Sequence, residues 1–148
     1  MRRHKLVSAC LLIAVLASGC IGDAQTQQSV ALLDQLSAAQ KAFGQQPQDA
    51  CDVVGNVQTR LYGEPGLSSV QPAWGHLRDA AAALQAVCGQ TTLLAQPSNG
   101  SAALTQARQR WADGIRRENG LACDHLRQAA AALGRTSGQW SVVSGQCS

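Results

Sequence analysis

One stretch of nine residues occurs twice with a single change. His76-Leu77-Arg78-Asp79-Ala80-Ala81-Ala82-Ala83-Leu84 returns 49 residues later as His125-Leu126-Arg127-Gln128-Ala129-Ala130-Ala131-Ala132-Leu133. Alanine and leucine are the strongest helix formers, and a run of alanines has little to give a sheet. Both stretches therefore read as helix. Aromatic residues make up 3% of the chain, so the core must be built from Ala, Leu and Val. Alanine faces let helices approach closely but bury little apolar area, at roughly 25 cal/mol per Å². A core this thin favours covalent staples.

Helical periodicity extends along the chain. Leu32, Leu36, Ala39 and Phe43 share one face of a helix expected over 27–45, which ends before Pro47. Pro47 can open a second helix, with Asp49 and Asp52 in its first turn and Ala50, Val53, Val54, Val57 and Leu61 inward. Tyr62-Gly63-Glu64-Pro65-Gly66 is a turn. A third helix is expected after Ser68 or Ser69, with Trp74, Leu77, Ala81, Leu84 and Cys88 inward and Gly89 as its stop. A fourth is expected over 101–118, carrying Leu104, Ala107 or Arg108, Trp111 and Ile115, and Asn119-Gly120 is expected to end it. A fifth, over 121–134, carries Ala122, Leu126, Ala129 and Leu133, and a Ser/Gly-rich tail from Arg135 to Ser148 reads as extended. The fold class is all-α, a small bundle of four to five helices. The repeat is consistent with a duplicated helical hairpin, the second and third helices matching the fourth and fifth.

The N-terminus differs from the rest. Arg2, Arg3 and Lys5 precede an apolar run from Leu6 to Ala17, which Ala17, Ser18 and Gly19 close with small residues. A basic start, a short apolar run and small residues make a secretory signal peptide. The run is well short of the ~20 residues that a bilayer-spanning helix needs. Ala17-Ser18-Gly19-Cys20 resembles the lipobox of bacterial lipoproteins, departing from it in having Ala17 where leucine is usual, with Leu16 one place earlier. The resemblance covers only about the first 20 residues. It implies cleavage before Cys20, lipid on that cysteine, and an exported chain anchored to the cell membrane or outer membrane. The competing reading is cleavage after Ala24. On the lipoprotein reading residues 1–19 are signal peptide, 20–28 a polar tether and 29–148 a helical domain with an extended tail.

This boundary changes the electrostatics. The net charge of +3 is the contribution of Arg2, Arg3 and Lys5, and beyond Cys20 nine basic residues face nine acidic ones. A nucleic-acid surface needs a cationic excess gathered into a patch, and the body has none to gather. The boundary also sorts the cysteines. Cys10 belongs to the signal and Cys20 to the anchor, leaving Cys51, Cys88, Cys123 and Cys147 as an even set in an exported chain. Their wide spacing lacks the close pairs of a zinc site. In antiparallel hairpins, Cys51 falls beside Cys88, and a tail folding back brings Cys147 to Cys123. Each closure is worth about 3 kcal/mol.

Chemical signatures are sparse. There is no Gly-x-Ser-x-Gly, no phosphate-binding glycine loop and no Cys-x-x-Cys-His, so no catalytic residue and no cofactor is expected. His76 and His125 are the candidates for a metal- or haem-carrying bundle. Arg108, Arg110, Arg116, Arg117 and Arg127 form the one cationic concentration, able to face an acidic partner, a phospholipid head group or a wall polymer. The leading expectation is a non-enzymatic lipoprotein of the cell envelope with a binding or structural role. Its alternatives are the histidine-based carrier and an inhibitor of a cell-wall enzyme. Expected partners are the membrane, through Cys20, and an envelope protein or polymer, not nucleic acid.

Overall fold

The computed structural model describes residues 24–135. Four helices and no strand occur among them: α1 over 24–42, α2 (Pro47–Gly63), α3 (Ala73–Leu94) and α4 (Ala102–Ala132). A short 3-10 turn, Leu67–Ser69, precedes α3. The all-α expectation holds. Residues 24–28, expected in the tether, are already helical, and Gln25 Oε1 meets the Ser69 hydroxyl across the turn before α3.

Side-chain contacts define the topology. Asp34 pairs with Arg135 and Gln40 with Asn119, so α1 and α4 run antiparallel. Cys51 bonds Cys88 and the Trp74 Nε1–H donates to Leu61 O at 3.0 Å, so α2 and α3 do too. His76 faces His125, and the Arg108 guanidinium donates to Gln96 O, which orients α4 against α3. The arrangement is an up-down-up-down bundle, the simplest one for short connections.

Each helix buries the stripe that its period supplies. Leu32, Leu33 and Leu36 of α1, Val54 and Val57 of α2, Leu77 and Leu84 of α3 and Leu126 of α4 are all fully buried. Ala50, Ala80, Ala81, Ala122 and Ala129 fill the space between them. Trp74 and Phe43, expected inward, lie only at the edge of this core. Small residues at the contacts allow the close approach, which is why so few aromatics suffice.

Two expected helix stops do not operate. Gly89 lies inside α3, which continues to Leu94. Asn119 and Gly120 lie inside α4, so the expected fourth and fifth helices are one helix of 31 residues. That rules out two separate hairpins: the repeated stretches occupy neighbouring antiparallel helices. The physical reason is that neither residue adopts a terminating conformation. The glycines with positive φ among the described residues are Gly100 and Gly134, and the Asn119 amide oxygen is taken by Gln40 instead of capping the helix. The true ends of α4 are capped. Ser101 Oγ accepts from Leu104 N at 3.2 Å. Beyond Ala132, Gly134 takes a φ of +70° while Arg135 N reaches Ala130 O and Gly134 N reaches Ala131 O, the Schellman pattern.

An added Cβ at exposed Gly120 meets nothing within 4 Å. Glycine costs about 1 kcal/mol relative to alanine inside a helix, so Gly120→Ala is expected to stabilise the protein by up to that amount in denaturant unfolding. A helix break at this position would give the opposite sign.

The N-terminal turns of α4 are thinly covered. Its buried residues begin at Gly114, and Leu104, Ala107, Trp111 and Ile115, expected inward, are only half-buried. The cause is length: α1 ends at residue 42, with its Gln40 beside Asn119, so the turns of α4 before that point have no α1 over them. That leaves a recess where the end of α1 meets the α3–α4 pair.

Candidate functional site: a cleft at the end of α1 and a histidine pair

The recess has a volume of about 450 Å³ and is walled by Phe43, Val87 and Ile115, with Gln40, Lys41, Thr91 and Asn119 as its polar elements. The size lies within the range of small-molecule pockets, and so does the mix of apolar walls with few polar groups. Gln40 stands one helical turn beyond Leu36, so the apolar stripe of α1 carries it inward, where it is 4% exposed. Its amide nitrogen donates to Asn119 Oδ1 at 3.2 Å. Its Oε1 is buried with no partner among the described residues. A buried carbonyl oxygen left unpaired costs about 1–3 kcal/mol, so a hydrogen-bond donor able to reach that oxygen recovers that energy. Lys41, half-buried on the wall, has no acidic partner among the described residues.

The second feature lies further along the α3–α4 contact. The rings of His76 and His125 stand 6.0 Å apart between centroids and are tilted by 31°. Each is half-buried and adjoins a fully buried leucine, Leu77 or Leu126. His125 Nδ1 is buried and has no partner among the described residues. Among the described residues no group of three His, Cys, Asp or Glu side chains converges to form a complete metal cage.

Most of the arginines of α4 are engaged. Arg116 pairs with Asp113, Arg117 with Glu118 at 3.2 Å and Arg127 with Asp124 at 3.0 Å, while Arg108 donates to Gln96 O and Arg110 is exposed. The acids interleaved along α4 offset most of the local field, and exposed pairs of this kind are worth about 0–1 kcal/mol each. Arg78 stacks 5.0 Å from the centre of the Trp74 ring, so that indole is covered.

One disulfide, Cys51–Cys88, joins α2 to α3 with a Cα separation of 5.6 Å, within the usual range. Cys123 is buried and is not a free thiol. Cys147, expected to pair with it, lies outside the described residues, as do Cys20 and Trp140. No described helix is long and apolar enough to cross a membrane.

The histidines were visible in the sequence as the first residues of the repeat. The cleft was not. Its one sequence signal is a glutamine at a stripe position of α1, between Leu36 and Phe43, where an apolar residue is the rule.

No protein-family model matches the chain, and no curated protein and no solved structure matches it either.

Proposed function

We propose that this is a lipid-anchored protein of the bacterial cell envelope whose helical head binds a small amphiphilic molecule in the cleft at the end of α1. The observation that carries the binding role is a cleft of about 450 Å³ with apolar walls, lined by Gln40, whose buried Oε1 has no partner among the described residues. The matching ligand has an apolar ring or short chain for Phe43, Val87 and Ile115, a donor for Gln40 and an anionic group for Lys41. Export is supported independently by the Cys51–Cys88 disulfide, since such bonds persist in oxidising compartments. Anchoring rests on Cys20 and the small residues before it. A second disulfide, Cys123–Cys147, completes the head in this reading and ties the C-terminal tail back to α4.

The dye 1-anilinonaphthalene-8-sulfonate has the required parts: apolar rings, an N–H and a sulfonate. The folded protein is expected to bind one dye per chain with enhanced emission. Ile115→Trp, which fills the cleft from a half-buried position, should abolish that signal, and Lys41→Glu should weaken binding by about tenfold, the equivalent of one lost ion pair in a partly buried setting. Helical circular dichroism is expected to be unchanged in both. Equal dye binding by all three proteins would remove the cleft as the site.

A further inference from the structure

We propose that His76 and His125 form a two-histidine site for a divalent transition-metal ion, of the Cu²⁺ or Zn²⁺ class, between α3 and α4. The inference does not depend on the cleft or on its ligand.

Beyond Cys20 the chain has two histidines in all. They are 49 residues apart in sequence, yet the antiparallel packing of α3 on α4 sets their rings 6.0 Å apart. Each opens a copy of the repeated stretch, and the two copies run in opposite directions away from the pair. The contact is thus locally two-fold in character, with equivalent residues meeting at the crossing.

The spacing suits one shared ion. With a metal–nitrogen bond of about 2.0–2.1 Å and one nitrogen from each ring, the centroids stand roughly 5–6.5 Å apart, depending on the angle at the metal. The observed separation lies inside that span. The donor chemistry also fits. Imidazole suits copper, nickel and zinc, and His125 Nδ1 is a buried ring nitrogen with no hydrogen-bond partner among the described residues. A ligating histidine ordinarily has its other nitrogen held by a neighbour or water, and both residues are only half-buried. Asp79 and Asp124, one turn after His76 and next to His125, are exposed and engaged with Arg78 and Arg127. The protein therefore supplies two ligands, and water supplies the rest. This makes the ion exchangeable and not a structural element required for folding.

The test titrates Cu²⁺, then Zn²⁺, into the mature protein in detergent, followed by calorimetry. One ion per chain is expected. His76→Gln and His125→Gln should each weaken binding by at least about tenfold, at or above the scale seen for ligand-supporting groups. Binding should weaken as pH falls, because protons compete for imidazole. Electron paramagnetic resonance of the wild-type Cu²⁺ complex should show nitrogen coupling from two imidazoles, a readout that needs no variant to fold. Absence of binding, loss confined to one of the two variants, or a copper spectrum without imidazole nitrogen overturns the proposal.

Discussion

Replacing both Cys51 and Cys88 by alanine is expected to cost about 3–4 kcal/mol of stability, the loop-closure value for a separation of 37 residues. Against a typical total of about 5–15 kcal/mol, that loss is large. It should appear as a fall in melting temperature of roughly 15 °C for a domain of this size. The sensitivity comes from the core. Apart from Val87, the fully buried side chains of α3 between Leu77 and Leu84 and beyond are mainly alanines, so little apolar area backs up the staple. The bond sits near the start of α2 and late in α3, where it fixes the register of that hairpin at the end facing the cleft. Thermal unfolding of oxidised wild-type and double-alanine protein measures the effect. A loss below about 1 kcal/mol would mean that the unfolded chain is already constrained there, contrary to the loop-closure account.

Cys20→Ala is expected to have a larger effect on location than any core substitution has on stability. Each buried methylene of an acyl chain contributes about 0.8 kcal/mol, and two chains are needed for stable anchoring. Removing the acceptor sulfur removes both the attachment point and the residue that the cleavage site presents. The variant should leave the membrane fraction or accumulate as uncut precursor, while its head keeps its helical signature. Membrane retention and processing identical to wild type would remove support for the anchor.

The helical class was legible because Ala, Leu and Val recur at helical spacing from Leu32 to Leu133, and because alanine runs have no competing strand preference. The Cys51–Cys88 link was legible for a topological reason: in an antiparallel pair, residues near the start of one helix face residues near the end of the next. Helix ends were less legible. Gly89, Asn119 and Gly120 have terminating chemistry but not the conformation, since tertiary packing on α3 and α4 carries the helices through them. Gly134 has both, and there α4 does stop. The difference is local: past Leu133 a capping pattern of backbone bonds is available, whereas at Asn119 the side chain bonds across to α1.

The sites divide in the same way. The two histidines stood out because they begin matching stretches, although only the antiparallel contact of α3 with α4 shows that they meet. The arginine concentration was legible in the sequence, but its partners were not. Asp113, Glu118 and Asp124, interleaved at helical spacing, offset it once the chain coils. The cleft depends on how far α4 overruns its neighbours, and a length mismatch between packed helices leaves no mark on composition or periodicity. Gln40, a polar residue at an inward position of α1, is the one trace of it in the sequence.

A helical head held at the envelope membrane through Cys20 has a distinct intact mass. Mass spectrometry of the protein recovered from membranes should find a chain that begins at Cys20 and carries the added mass of acyl groups on that residue. An unmodified chain beginning elsewhere, such as after Ala24, would contradict that anchor.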